Sequence, residues 1–225
     1  MSPFQKYSFK LLFIFSFILG TTNLFAQEDP SKKNSLEKGS KTLQFQINNN
    51  FSLSSFSGSM LSYKKQVTNS RAHRIGLSLG SQFGSSDLED DPNERIVNNS
   101  ENNVSFSYTW MNYLNPDNQI KFYYGFGPAV NAKHQKSEMD DINSNRTTKE
   151  YTIGLSALGY TGVEWFFHPS ISLHAEYQIS ATGNYTKNES INTNKSTDNS
   201  VKQVRNEREF TFGGNGVRFG LSVYF

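Results

Sequence analysis

Hydrophobic and polar residues alternate with a period of two over most of residues 41–225. This is the period of a β-strand, in which successive side chains point to opposite faces of the sheet. Eight alternating runs can be distinguished, at residues 43–47, 58–67, 74–83, 104–110, 120–127, 151–165, 171–180 and 217–225. The pattern therefore predicts an all-β fold of about eight strands.

The segments between the runs are of two kinds. The second, fourth and sixth runs end at short turns, at residues 68–71, 115–118 and 168–170. Polar segments follow the other runs, and we expect the longest three to be mobile loops, at residues 84–100, 131–149 and 182–206. An antiparallel up-and-down membrane barrel has this asymmetry of short turns and long loops. The Gly-rich segment 213–216 is expected to bend the last strand or to form a β-bulge.

The N-terminal segment has the pattern of a secretory signal peptide. Lys6 and Lys10 precede an apolar run at residues 11–19, and Ala26 offers a small residue for cleavage before Gln27. We therefore assign residues 1–26 to a signal peptide, 27–40 to a disordered periplasmic lead-in, and 41–225 to the barrel. After the signal, no apolar stretch approaches the ~18 residues of a membrane-spanning helix.

Composition narrows the class of protein. The chain has no Cys, which excludes disulfides and thiolate metal sites, and its net charge of +2 with no basic stripe argues against nucleic-acid binding. Hydrophobic residues make up only 35%, yet Phe and Tyr number 19 and 11. This balance suits a transmembrane β-barrel, in which half of each strand faces lipid and half faces a polar lumen.

A soluble alternative is a secreted β-sandwich or lipocalin-like barrel, in which the apolar face points inward. Alternation alone does not separate the two. The Gly and Ser on the polar face, and the aromatic residues near the ends of the runs, favour a barrel in the cell outer membrane.

Two segments carry a resemblance to a known family. Gly159-Tyr-Thr-Gly-Val-Glu-Trp-Phe166 followed by residues 171–177 resembles the final hairpin of the small bacterial outer-membrane β-barrel domain family. The segment 218–225 is similar to the C-terminal signal read by the barrel assembly machinery, with Gly220, Val223 and Phe225 at its characteristic positions. The resemblance implies an eight-stranded outer-membrane barrel and implies little about activity, because this family includes adhesins, structural anchors, pores and a few enzymes.

Ionisable residues on the polar face are the candidate site. They should point into the lumen, where a charge needs a partner or water. We expect an ion-pair network there, with Arg218 and Glu176 as partners because they lie on neighbouring strands. The predicted set is Arg74, Lys121, Glu164, His174, Glu176 and Arg218.

The leading functional hypothesis is a non-enzymatic structural or surface-interaction role carried by the loops. A narrow pore for ions or small solutes, controlled by the lumenal charges, is the second. A lipid-modifying enzyme is the third, since His168-Pro169-Ser170 with Glu176 resembles the hydroxyl, base and carboxylate set of outer-membrane deacylases. We predict no cofactor, metal or nucleic acid. The expected partners are outer-membrane lipid and lipopolysaccharide, the assembly machinery, and an extracellular ligand that the sequence does not identify; the expected state is a monomer.

Overall fold

A computed structural model describes residues 36–47, 59–88, 95–141 and 143–225. Eight strands are found there: β1 (Lys41–Ile47), β2 (Ser59–Thr68), β3 (Arg71–Leu88), β4 (Arg95–Tyr113), β5 (Ile120–Asp140), β6 (Ser144–His168), β7 (Ile171–Asn194) and β8 (Asn199–Tyr224). Each strand pairs with the next along the chain, antiparallel, and β8 returns to pair with β1. The prediction of an antiparallel up-and-down barrel of about eight strands is confirmed.

Closure of the barrel leaves none of these strands at a free edge. Thr42 of β1 lies opposite Tyr224 of β8, and Lys41 and Phe225 exchange backbone hydrogen bonds of 3.0 and 2.9 Å just outside this pair. The backbone groups of each strand can therefore bond to two neighbours. That condition must be met by any sheet that lies in hydrocarbon, where water cannot satisfy an open edge.

Polar side chains face the inside of the barrel and apolar ones face outward. On β5, Lys121 and Tyr123 are buried, whereas Phe122 and Phe126 are more than half exposed. The same alternation leaves Leu173 of β7 exposed between buried polar neighbours. A soluble barrel or sandwich has the opposite distribution, so the soluble alternative is wrong for this chain.

The segments expected to be long loops are instead continuations of the strands. The ladder of β5 and β6 runs unbroken to Asp140 opposite Asn145, and that of β7 and β8 continues to Asn194 opposite Asn199. The prediction of long loops at 84–100, 131–149 and 182–206 is therefore wrong for most of the described residues of these segments, which belong to strands. Residues 89–94 and 142 lie outside the described residues. These segments are polar on both faces, so they lose the period of two, but their Thr, Val, Ile and Tyr retain strand preference and cross-strand pairs.

The two ends of the barrel differ. At one end, here called the turn end, β2 and β3 are joined by Asn69–Ser70, β4 and β5 by residues 114–119, and β6 and β7 by Pro169–Ser170, as predicted. The other end, called the hairpin end, carries the long two-stranded extensions. A register shift occurs opposite the Gly-rich segment, between Tyr177 and Ile179, and Gly216 has a φ of 73°. The predicted bulge is confirmed.

Residues 36–40 lie against the turn end. Leu36 is buried, and the backbone N–H of Gly39 donates to the carbonyl of Gln66 at 2.9 Å. The sequence predicts that these five residues belong to a disordered lead-in, and their contacts with the barrel correct that boundary. The expected signal peptide lies outside the described residues. In the described part, no helix is long and apolar enough to cross a membrane.

Candidate functional site

The charged residues predicted for the lumen all lie on the inner face of the barrel. Five of the six are buried and Arg218 is partly exposed. The structure adds Lys64 of β2, whose side chain is 0% exposed. Lys64 is absent from the predicted set, although it lies at a polar position of the run 58–67.

Glu164 of β6 forms the centre of the first cluster. Its carboxylate accepts hydrogen bonds from Tyr113 Oη at 2.7 Å, Tyr224 Oη at 2.6 Å and Ser172 Oγ at 2.5 Å. Lys64 Nζ lies 3.1 Å from Oε2 of the same carboxylate. Four donors thus meet two oxygens, which is close to the full accepting capacity of a carboxylate.

Lys64 is equally well satisfied. Its ammonium donates to Tyr113 Oη and Tyr224 Oη, both at 2.6 Å, in addition to Glu164. Three donors therefore have three acceptors, and the two tyrosines relay hydrogen bonds from the cation to the anion. A buried ion pair is tolerable only when its remaining hydrogen-bonding capacity is used in this way.

These residues meet because the inward side chains of alternate strands form layers. The layer takes one residue from each even-numbered strand: Lys64 from β2, Tyr113 from β4, Glu164 from β6 and Tyr224 from β8. The ion pair therefore joins β2 and β6, which lie opposite each other across the lumen. Layering of alternate strands follows from the stagger of a closed barrel. The layer fills the lumen from wall to wall.

The hydrogen-bonded residues of a second cluster come from odd-numbered strands, and Tyr160 of β6 packs beside them. Arg74 of β3 forms a forked pair with Glu176 of β7, with Nη1 to Oε2 at 2.7 Å and Nη2 to Oε1 at 3.2 Å. Tyr123 of β5 donates to Glu176 at 3.3 Å, and the guanidinium of Arg74 lies 4.3 Å from the ring centre of Tyr160. Bidentate pairing and stacking of this kind are specific to arginine.

This geometry corrects the expected pairing of Arg218 with Glu176. Arg218 lies directly opposite Glu176 in the β7–β8 ladder, as predicted. The carboxylate is nonetheless hydrogen-bonded through both oxygens to Arg74 from across the lumen, while Arg218 attracts it electrostatically. Adjacency of strands is therefore not a sufficient criterion for pairing, because the inward side chains of a narrow barrel reach the opposite wall as easily as the neighbouring strand.

His174 and Lys121 occupy positions beside these clusters. His174 Nε2 lies 3.0 Å from Gln46 Nε2, and its Nδ1 lies 3.0 Å from Ser222 Oγ. With the amide nitrogen of Gln46 as donor, the imidazole is neutral and carries its proton on Nδ1. Lys121 Nζ donates to the carbonyls of Pro116 and Asn118 in the turn after β4, so this cation closes the turn end.

A polar cavity of about 350 Å³ lies on the hairpin side of the second cluster. Arg74 and Arg218 line it together with Gln178, and its remaining wall is mostly of short polar side chains. Serine, threonine and asparagine dominate that wall: Ser78, Ser105, Ser107, Asn131, Ser156, Ser180, Thr182, Asn184 and Thr211.

The residues considered for catalysis are not brought together. His168 is exposed in the turn between β6 and β7, where its Nδ1 accepts from the backbone N–H of Ser170 at 3.2 Å. Glu176 is buried in the lumen and bound to Arg74. The carboxylate therefore does not orient this histidine. In the part of the chain that the structure describes, no group of three or more His, Asp or Glu side chains could hold a metal ion.

Of the residues of the expected assembly signal, Gly220 and Val223 lie on β8, and Phe225 follows its last residue. Phe225 is exposed on the outer surface. Gly220 points inward, and a Cβ there would collide with the ring of His174 and with the carbonyl of Phe45. Recognition of this segment by the assembly machinery stays a prediction.

The hairpin end is charged and exposed. Glu189 of β7 accepts from Lys187 at 2.6 Å and lies 3.4 Å from Lys202 of β8. The hydrogen bond from Lys187 holds the pKa of Glu189 below its usual range and raises the pKa of Lys187. Both groups therefore stay ionised at neutral pH, and the extended hairpins present ordered charges to solvent.

No protein-family model and no curated protein matches the chain. Among solved structures, the chain is similar to a major outer membrane protein from Thermus thermophilus, with 11% identity, coverage of 84% of this chain and 100% of that chain, and a TM-score of 0.49. Neisserial surface protein A is 17% identical, with coverage of 83% of this chain and 94% of that chain and a TM-score of 0.34. Ail, the attachment invasion locus protein of Yersinia pestis, is 12% identical, with coverage of 84% of this chain and 99% of that chain and a TM-score of 0.37. All three TM-scores lie below 0.5.

Proposed function

We propose that this protein is an integral outer-membrane β-barrel with a non-enzymatic role, in which a closed barrel holds the long hairpins at the cell surface. The observation that carries the proposal is the distribution of side chains in a closed barrel, apolar outside and polar, ion-paired inside. Lipid is the solvent that such an outer surface requires.

The height of the apolar surface supports this assignment. On β5 the outward apolar positions run from Ile120 to Ala132. At about 3.4 Å per residue and a strand tilt of ~40°, this stretch is about 30 Å tall along the barrel axis. The hydrocarbon core of a bilayer has about the same thickness. Beyond Ala132 the outward positions become polar, beginning with His134 and Lys136.

The packing of the lumen favours a non-conducting barrel and argues against a pore. The layer around Glu164 and the Arg74–Glu176 pair follow one another along the barrel, and the ionised side chains in both are almost fully buried. Eight strands enclose little space beyond that needed by the inward side chains. Conduction would require both ion pairs to separate without water to replace their hydrogen bonds.

The hairpins supply the surface for interaction. They extend eight residues past Ala132 on β5 and nine residues past Tyr185 on β7. Paired strands present side chains in fixed positions, so a partner could bind them without ordering a loop.

Orientation can be tested by labelling, because the chain has no native Cys. We would introduce Ser196→Cys in the turn between β7 and β8, and Asn69→Cys at the turn end, and treat intact cells with a membrane-impermeant maleimide. We expect the variant with Cys at position 196 to be labelled in intact cells. The variant with Cys at position 69 should be labelled only after the cells are permeabilised. Equal labelling of both variants in intact cells would contradict the proposed orientation.

Conduction is tested on the purified barrel in planar bilayers, after heat-modifiable migration on a gel has shown that it is folded. We expect no steady openings from the native protein. Regular single-channel steps that change with Glu164→Ala would establish the pore and overturn the non-conducting role.

A further inference from the structure

The lumenal cavity has an unbalanced charge. Arg74 and Arg218 both line it, and none of its described lining residues is Asp or Glu. The nearest carboxylate, Glu176, is already held by both terminal nitrogens of Arg74. Two guanidinium groups therefore share one carboxylate at the floor of the cavity.

Arg218 is the less well compensated of the two cations. Its Nε is buried and has no hydrogen-bond partner among the described residues. An unpaired buried donor on a charged group is costly, and guanidinium cannot relieve the cost by losing its proton. Something that carries negative charge would offset this cost.

The walls of the cavity match an oxyanion. They offer hydroxyl donors such as Ser105 and Ser107 and amide donors from Gln178 and Asn131. With a volume of about 350 Å³, the cavity exceeds the ~30 Å³ share of one water several times over. A phosphate or sulfate with part of its hydration shell would therefore fit.

We propose that the cavity binds a small oxyanion of the phosphate or sulfate type, with Arg218 as its principal ligand. Arginine recognises such groups through paired N–H donors, and the adjacent Arg74 adds positive potential while it remains bonded to Glu176. The hydroxyl and amide side chains would donate hydrogen bonds to the remaining oxygens of the anion. This inference does not depend on the role of the hairpins or on the orientation in the membrane.

Calorimetric titration of the folded barrel in non-ionic detergent with inorganic phosphate at low ionic strength tests the proposal. The variant Arg218→Gln removes the charge, and Arg208→Gln is the matched control, an exposed arginine on the same strand. We expect saturable binding by the native protein and the control, and at least tenfold weaker binding by Arg218→Gln. No saturable heat from the native protein, or equal affinity in the two variants, would overturn it.

Crystals of the native protein soaked in bromide provide a measurement that needs no variant. An anomalous peak beside the guanidinium of Arg218 is expected. If bromide sites occur only on the outer surface, the cavity holds water alone and the proposal is wrong, whether or not Arg218→Gln folds.

Discussion

The ion pair between Lys64 and Glu164 makes a quantitative prediction about stability. Replacing Glu164 by Gln keeps the size of the side chain but removes its charge. Lys64 then remains buried without a counter-ion. The amide oxygen has two lone pairs, whereas the carboxylate accepts four hydrogen bonds.

The expected magnitude follows from the burial of both partners. Removing one member of a buried pair costs about 3–5 kcal/mol. Because an amide can keep some hydrogen bonds to Tyr113, Tyr224 and Ser172, we expect the lower value, about 3 kcal/mol, for Glu164→Gln. We expect a similar loss for Lys64→Met, which strands the carboxylate. The double variant strands no charge, so it should lose about 3 kcal/mol, not the sum of about 6 kcal/mol.

Urea unfolding from lipid vesicles, followed by tryptophan fluorescence and extrapolated to zero denaturant, measures these free energies of unfolding. The pair Lys133 and Glu101 is the internal control, since its atoms lie at a similar distance, 3.2 Å, while both side chains are about one-third exposed. The corresponding cycle, Lys133→Met with Glu101→Gln, should change stability by less than ~1 kcal/mol. If the losses of the two single lumenal variants simply added in the double variant, or if their interaction energy were no larger than that of the control pair, the coupling derived from this geometry would be refuted.

Three further predictions concern other parts of the molecule and use the same unfolding assay. Arg74→Lys should lose about 1–2 kcal/mol because lysine cannot form the fork or stack on Tyr160; no loss would mean that the fork is unimportant. Val130→Arg on the outer apolar surface should cost about 2–4 kcal/mol, and Val204→Arg at a similarly exposed position on the extended hairpin almost nothing, so equal effects would contradict a lipid-facing surface. Gly127→Ala should cost about 1–3 kcal/mol because its Cβ would collide with the backbone of Tyr108, while Gly183→Ala, which meets nothing, should be neutral.

Much of the fold could be predicted from the sequence because the barrel wall follows a simple local rule. The alternation of Lys121, Phe122, Tyr123 and Tyr124 determines which side chains face inward, and closure follows from the number of strands and the composition of the outer face. The hairpins could not be predicted in this way. Residues 182–206 have polar groups on both faces, so they lose the periodicity by which strands are recognised.

The partners within the lumen could be predicted only in part. Which residues point inward is a local property, and the sequence placed Arg74, Glu164 and Glu176 on the correct face. Which inward residues meet depends on the tilt and stagger of all eight strands, and this is a property of the closed barrel. Lys64 lies 100 positions from Glu164 along the chain, and no periodicity connects them. A search for opposite charges on strands facing each other across the lumen would have suggested both pairs.

The buried charges of the lumen are hydrogen-bonded more completely toward the turn end than toward the hairpin end. The two halves of the barrel should therefore differ in stability and in ligand binding. Toward the turn end, Lys64 and Glu164 use nearly all of their hydrogen-bonding capacity within one layer, so that layer loses stability if any member moves. Toward the hairpin end, Arg218 has an unsatisfied buried donor beside a cavity. A rigid polar layer next to an under-compensated cation is the arrangement expected where a barrel is sealed on one side and accepts an anion on the other.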